Sequence, residues 1–456
     1  MTDNKAGRLS AEARQALFAH VGRSRGQAVQ PRAVPVSIPG PEGATDFTTL
    51  PGFRELQTQR SFASVLGVEN PFFRVHQRRA GAETLIGNRT LSNFSSYDYL
   101  GLNGHPEVAE AAKAAIDRYG TSASASRLVA GERPVHRELE GALAAVYEAE
   151  DCVVMVSGHA TNVGVIGHLV GPKDLIVHDE LIHNSVVVGA QLSGAQRRSF
   201  PHNDLDALEK LLANGRRQYS RVLIVVEGLY SMDGDWPDLA RLVDIKKRFG
   251  AWLMVDEAHS LGVLGATGRG IYEQLGVDPR EIDIWMGTLS KTLSGAGGYI
   301  AGSSALVEYI KTSVGAFVFS VGLSPPVAAA SKAALDLMLR EPDRVARLHR
   351  NGARFLEAAK AAGLDTGTSA GTAITPVILG ESLKAATLSD RLSQRGFNVM
   401  PILHPAVPEK LARLRFFITS EHTPEQIDDA VRITAEEMRT LVGTNEALQT
   451  LARAMS

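Results

Sequence analysis

The stretch IWMGTLSK, Ile284 to Lys291, decides the reading of this chain together with WLMVDEAHS, Trp252 to Ser260, a short way upstream. Each is a short apolar run, the length of a buried strand, that ends in reactive groups. Asp256, Glu257 and His259 follow WLMV, while Thr288, Ser290 and Lys291 follow IWM. In open α/β sheets, ligands bind outside the carboxyl ends of the strands. These two runs deliver an acid and an amine to that edge.

Taken singly, Lys291 reads as a solvated surface residue and Asp256 as a helix cap or ion-pair partner. The combination points elsewhere. Thr288 and Ser290 add hydroxyls beside the amine, and SGAGG, Ser294 to Gly298, lets backbone approach a ligand closely. An amine, an acid and phosphate donors at one sheet edge suit pyridoxal 5'-phosphate, with Lys291 as its Schiff-base lysine and Asp256 as the partner of its pyridinium nitrogen.

The chain has 456 residues, enough for a large domain and a smaller one. With 48 Lys plus Arg against 50 Asp plus Glu, its net charge of -2 argues against a nucleic-acid binder or a polybasic membrane-surface protein. The single cysteine, Cys152, excludes an intrachain disulfide, and within CVVMV it reads as a small buried hydrophobe. No run of about 18 apolar residues occurs, so no transmembrane segment is expected. The start, MTDNKAGRLSAEARQ, lacks the apolar core of a signal peptide, and a cytoplasmic location is expected.

Residues 9–22 suggest a short helix, and the proline-rich QAVQPRAVPVSIPGPEGATDF an extended linker or arm. FFRVHQRRAGAETLIGNRTL reads as short strands turning at Gly87-Asn88. From about 105 to 303, helix-length segments alternate with CVVMV, LIVH, VLIVVE, WLMV, IWMG and GYIAG, apolar runs that indicate a mainly parallel sheet. After Pro325 the pattern turns helical, then gives strands near ITPVIL, FNVMPI and RLRFFIT and a helix from about Pro424. The expected division is an arm at 1–50, a segment at 51–104 that joins the small domain, a large cofactor-binding domain at 105–340 and a small C-terminal domain at 341–456.

Ser157, Gly158 and His159 stand between a strand and a helix, where a helix N-terminus with glycine beside it can hold a phosphate. In LIVHDELIHNS, His183 follows another strand end and could stack on an aromatic cofactor or be an ordinary core or surface histidine. His178, Asp179, Glu180 and His183 lack the i, i+4 histidine spacing of a helical zinc motif, and no metal is expected. In VEGLYSMDGDWP, Glu227 and Ser231 face the same sheet edge, with Ser231 suited to the cofactor's phenolic oxygen and Asp233 and Asp235 to holding the turn. DEAH alone does not make a helicase, because the chain has no G-x-x-x-x-G-K-[ST] loop. Arg415, a charge inside the apolar strand RLRFFIT, needs a partner, either a substrate carboxylate or a structural salt bridge.

The motifs SSYDYLGL, HPEV, SRLVAG, HRELE, SGHATN, DELIHNS, EGLYSMDGD, VDEAHSLGVLG, GTLSKTLSGAGGYIAG and RLRFFITSEHT, in this order, resemble the α-oxoamine synthase family of fold-type-I pyridoxal phosphate enzymes. The resemblance runs from about residue 72 to 433. It implies an α/β fold with a mainly parallel seven-stranded sheet in a large domain and a smaller α+β domain. It implies Lys291, Asp256 and His183 as catalytic residues, His183 stacking on the cofactor. It further implies His259 and Ser231 near the phenolic oxygen, Thr288, Ser290 and Ser157 to His159 near the phosphate, and Arg415 at the substrate carboxylate. Family members are homodimers with a shared active site, so Ser320 would be a phosphate donor from the neighbouring subunit.

Four departures stand out. VFSVGLSPP is one residue longer than the usual interface segment, SASASR is poor in glycine, and Leu403 stands where relatives often have an arginine. SSYDYLG places Tyr97 and Asp98 where the serine palmitoyltransferase branch has Tyr-Asn, which makes both candidates for substrate binding. The expected reaction is a decarboxylating Claisen condensation of an amino acid (serine, or alanine or glycine) with an acyl thioester, long-chain acyl-CoA in the first place. The alternatives are a synthase of polyketide or other secondary metabolism that takes its acyl group from an acyl carrier protein, and a non-catalytic partner subunit, against which Lys291 argues.

Overall fold

The structure is a computed structural model that describes residues 43–65, 69–404 and 406–455. The helix expected at 9–22 and most of the proline-rich arm lie outside these residues. The chain divides into two compact units, Met1–Val65 and Leu66–Ser456. In the first, a 3₁₀ turn at Phe47–Thr49, capped by the Asp46 side chain on Thr48 N, precedes the helix Pro51–Val65. Residues 66–456, which include the stretches 105–340 and 341–456, form one compact unit.

The second unit opens with a hairpin of β1 (Glu83–Ile86) and β2 (Arg89–Asn93). Gly87 takes φ +58°, the left-handed conformation a two-residue hairpin turn requires. The large sheet follows, made of β3 (Asp151–Met155), β4 (Leu175–Asp179), β5 (Gln196–Phe200), β6 (Val222–Glu227), β7 (Trp252–Asp256), β8 (Ile284–Thr288) and β9 (Gly298–Gly302). Its seven strands lie in the order β3-β9-β8-β7-β6-β4-β5.

All of them run parallel except β9, which is antiparallel to both neighbours. The loop from β8 into β9 holds no crossover helix, so the chain can return only in the opposite direction. The helices Asn184–Ser193, Leu205–Gly215 and Leu239–Phe249 make the crossovers from β4 to β5, β5 to β6 and β6 to β7. Side chains alternate between two apolar cores: Val153, Ile176, Leu223, Met254 and Met286 fill one face, Val154, Val177, Ile224, Val255 and Trp285 the other. Burial on both faces is why these strands read as unbroken apolar runs.

β5 is the strand no apolar run announces. Four of its five residues, Gln196, Arg197, Arg198 and Ser199, are exposed, because it lies at the sheet edge and is held by backbone pairing to β4 alone.

The smaller α+β part follows, with β10 (Ile374–Gly380), β11 (Phe397–Asn398), β12 (Met400–Ile402) and β13 (Ala412–Phe417) and the helices Asp343–Ala361, Ser382–Gln394 and Pro424–Met455. β13 is central in an antiparallel sheet between β10 and β12, which sets Arg415 opposite Pro376 and Met400. β11 pairs in parallel with β2 and so ties the opening hairpin to these elements. Among the described residues, no helix is long and apolar enough to cross a membrane.

Candidate active site

The carboxyl ends of β4, β6, β7 and β8, with the turn after β3, surround a cavity of about 270 Å³. One end of it is built for an anion. Ser157 caps the helix Gly158–Leu169, its Oγ accepting from Ala160 N at 3.3 Å. The N–H groups of Gly158 and His159, at the first two positions of that helix, have no intrahelical acceptor. A Cβ on Gly158 would come within 2.9 Å of Thr288 Oγ1, so only glycine lets the helix start this close to β8. Thr288 Oγ1 donates to the Gly297 carbonyl at 2.8 Å and accepts from Ser290 Oγ at 2.8 Å. Helix N–H groups and hydroxyls together suit a phosphate.

In the middle of the cavity, Asp256 ends β7 with both oxygens engaged. Asn162 Nδ2 donates to Oδ2 at 2.8 Å and Ala258 N to Oδ1 at 3.0 Å. Glu227 stands beside it, in register across β6 and β7. Burial first, and then the Asp256 charge, pushes the Glu227 carboxyl up to about 8, and its Oε1 is buried without a hydrogen-bond partner. His183 caps the helix Asn184–Ser193: its Nδ1 accepts from Ser185 N at 3.3 Å and lies 2.7 Å from Ser185 Oγ. Burial lowers its pKa, so the ring is a neutral imidazole at physiological pH.

Lys291 reaches the same space from the loop after β8. Burial pulls its ammonium down to about 8, against the opposing charges of Asp256 and Glu227. Among the described residues, no hydrogen bond or ion pair engages its Nζ, which lies 5.7 Å from the centre of the Tyr97 ring. An amine that is partly neutral and engaged by no hydrogen bond or ion pair among the described residues is a nucleophile in waiting. His259 completes this side. It is buried and held neutral, by burial first and then by the positive charges of Lys291 and Arg415.

Arg415 closes the other end. Its Nη1 donates to the Ser231 carbonyl at 3.0 Å, Nη2 lies 3.5 Å from the Tyr97 hydroxyl, and the guanidinium stacks 4.5 Å over Phe417. The side chain is buried, Nε has no hydrogen-bond partner, and none of the ion pairs among the described residues includes it. Arg413, two residues earlier, is paired with Asp233 at 2.7 Å. A salt bridge therefore explains Arg413 and leaves Arg415 without an anion.

Ser157, Gly158, His159, His183, Asp256, His259, Thr288, Ser290 and Lys291 thus come together around one cavity, with Tyr97 and Arg415 beside them. Ser231 stands behind Glu227, giving its N–H to that carboxyl and its carbonyl to Arg415. Asp98 is not a wall of this cavity, and its Oδ1 accepts from Leu102 N and Asn103 N, which holds a turn. Ser320 is not a wall of this cavity within its own chain, and its hydroxyl donates to the Val321 carbonyl. Leu403 packs against the core.

Asp233 and Asp235 do hold the turn, through Arg413 and through His202 and Thr368. Cys152 is buried in β3. Asp179 is taken up by His202, Leu181 N and Asn203 N, and no group of three or more His, Cys, Asp or Glu among the described residues is arranged for a metal.

Asn162 is the site residue that sequence reasoning missed. It is the lone amide in the first turns of an apolar helix, and a buried polar group there needs a partner. It finds Asp256, and its Oδ1 has no hydrogen-bond partner.

An amine beside a fixed carboxylate, a neutral imidazole wall and an anion cradle fit pyridoxal 5'-phosphate, and fold and site define a fold-type-I pyridoxal phosphate enzyme. The model of the aminotransferase class I and II family matches residues 89–433, and the chain belongs to that family. It is similar to the 8-amino-7-oxononanoate synthase of Geobacter sulfurreducens, 43% identical over 358 residues that cover 78% of this chain and 90% of the relative. A 4-hydroxy-2,2'-bipyrrole-5-methanol synthase, PigH, of a Serratia strain is 40% identical over 346 residues, 76% of this chain and 52% of that longer protein. Among solved structures, a Sphingomonas wittichii serine palmitoyltransferase matches with a TM-score of 0.82 at 30% identity, over 87% of this chain and 98% of the other. Within its family, the chain is a pyridoxal phosphate-dependent acyltransferase of the α-oxoamine synthase type.

Proposed function

We propose that the chain joins a small α-amino acid to an acyl thioester with loss of carbon dioxide, giving an α-amino ketone. The observation that carries this is Arg415, a buried guanidinium with an orphan Nε and, among the described residues, no counterion, close to the amine of Lys291. An amino-acid carboxylate supplies the missing charge.

When bound, the cofactor supplies an electrophilic aldehyde for amines and an electron sink for the pair left at the amino acid's Cα. Asp256, fixed by Asn162 and the Ala258 N–H, would hold the proton on the ring nitrogen. The neutral His183 ring would cover one face. Gly158 and His159 N–H, Thr288 and Ser290 would hold the phosphate. Lys291 would hold the cofactor through Nζ, and the same amine is placed to take the Cα proton; a pKa near 8 leaves a fair share of it neutral at physiological pH. Arg415 grips the carboxylate until decarboxylation, with Tyr97 beside it. We assign the same residues to a homodimer whose Ser320 reaches the partner's phosphate site.

The expectation of serine and a long-chain acyl-CoA is supported by the structural match to serine palmitoyltransferase. The relatives of higher sequence identity are named for 8-amino-7-oxononanoate and a bipyrrole methanol. These favour the alternative, a synthase of polyketide or other secondary metabolism that takes its acyl group from an acyl carrier protein. Mass spectrometry of products from purified protein, given alanine, serine and glycine with acyl-CoA and acyl-carrier-protein donors of graded length, tests this. An α-amino ketone from one such pair is expected. Turnover with serine and palmitoyl-CoA alone would overturn the preference, and no condensation with any donor would overturn the function.

A further inference from the structure

We propose that Tyr99 is a positioning residue that sets the tautomer of His259, its hydroxyl donating to Nδ1 so that the ring proton sits on Nε2 and is free to be donated into the cavity. This rests on the functional reading above and deepens it. The Tyr99 hydroxyl lies 2.7 Å from His259 Nδ1. Both side chains are buried, and among the described residues the hydroxyl has no other hydrogen-bond partner. If Nδ1 carried the proton and donated, the phenolic hydrogen would be stranded away from water, the costlier arrangement.

The chain builds Tyr99 into this place. Asp98 closes the turn that follows by accepting from Leu102 N and Asn103 N, and Ser420 N donates to the Tyr99 carbonyl at 2.8 Å. The departure Asp98 in SSYDYLG thus bears on the site through its neighbour. The His259 ring is equally confined, parallel to Phe417 at 6.4 Å and edge-on to Tyr97 at 6.0 Å. Lys291, Arg415 and His183 are the charged or titratable groups that act on it, and none of them stabilises an imidazolium. A neutral ring with a fixed Nε2–H is a hydrogen-bond donor aimed at one point, and an oxygen that becomes negative there gains from it.

The test follows the visible absorption of the lysine-bound cofactor against pH in wild type, Tyr99→Phe, His259→Ala and the double variant, with ¹⁵N spectra of histidine-labelled wild-type holoenzyme assigned by difference against His259→Ala. Tyr99→Phe is expected to move the spectroscopic midpoint by about one pH unit and to lower kcat about tenfold, with the amino-acid KM changed less than about twofold. Both effects should vanish in the His259→Ala background. The ¹⁵N spectrum should show the Nε2–H form of His259. An unmoved midpoint in Tyr99→Phe, or the same shift in both backgrounds, would overturn the assignment.

If Tyr99→Phe does not fold, the wild-type spectrum decides alone, and an Nδ1–H tautomer refutes the proposal. Wild type without any lysine-bound absorption would overturn the functional reading instead, and the tautomer would still be read from the protein.

Discussion

Arg415→Ala separates binding from folding. Among the described residues Arg415 has no counterion, so its removal strands no carboxylate: Nη1 gives up its contacts with the Ser231 carbonyl and Met232 Sδ, Nη2 its contact with the Tyr97 hydroxyl, and Nε had no partner to lose. What disappears is the grip on the incoming carboxylate. Losing a charged, hydrogen-bonded partner from a buried site costs ~2 to 4 kcal/mol, which is roughly 30- to 1000-fold in the amino-acid KM. The thioester's KM should change far less.

Arg413→Ala provides the contrast, since it leaves Asp233, bonded at 2.7 Å, without its cation. Breaking such a buried pair costs about 3 to 5 kcal/mol of stability. Steady-state kinetics with each substrate varied in turn, together with thermal unfolding of both variants, reads the two effects. Arg415→Ala is expected to unfold near the wild-type temperature and to need far more amino acid, while Arg413→Ala unfolds several degrees lower. An unchanged amino-acid KM in Arg415→Ala would refute the reasoning, as would a loss of stability matching that of Arg413→Ala.

Three further outcomes follow from the geometry. Lys291→Ala should bind the cofactor without covalent attachment, so that borohydride reduction and peptide mass spectrometry find no modified lysine; in wild type, covalent uptake by the apo-protein should quicken as pH rises through about 8, where Lys291 loses its proton. Asp256→Asn cannot hold the ring nitrogen's proton by charge, and exchange of the amino acid's Cα hydrogen in deuterated solvent should slow by at least ~100-fold while the cofactor stays bound. His202 lies between Asp179 and Asp235; burial pulls its pKa down, but hydrogen bonds and charge from the two carboxylates more than offset this and hold it at about 10. Its folded value is above the ~6.5 of an unfolded histidine, so its stabilisation is complete below pH ~6.5 and is lost as pH rises through about 10. The stability gap between wild type and His202→Gln, measured by urea unfolding, should shrink along that range.

The large sheet was legible because its central strands are buried on both faces, and CVVMV, LIVH, VLIVVE, WLMV, IWMG and GYIAG all form strands. β5 was not, since an exposed edge strand owes its conformation to β4 and carries no apolar pattern of its own. The direction of β9 follows from a loop too short for a crossover, a feature of spacing that an apolar pattern does not convey. At the site, motif order brought together Lys291, Asp256, His183 and the phosphate-facing residues. Side-chain partnerships were hidden: Arg413 and Arg415, two residues apart, lie on the same face of β13, and that Arg413 takes Asp233 while Arg415 takes the Ser231 carbonyl and Met232 depends on what the turn after β6 presents to each. The turn that Asp98 Oδ1 holds was hidden for the same reason, since a polar residue beside a motif tyrosine does not announce its backbone partners.

Amino acid labelled with ¹³C at the carboxyl carbon, incubated with the holoenzyme and an accepted acyl thioester, tests the central claim most directly. A decarboxylating condensation predicts an α-amino ketone that carries no label, with one labelled carbon dioxide released per product. A labelled 2-oxo acid formed by transfer of the amino group, or a condensed product that keeps its labelled carboxyl carbon, would contradict it.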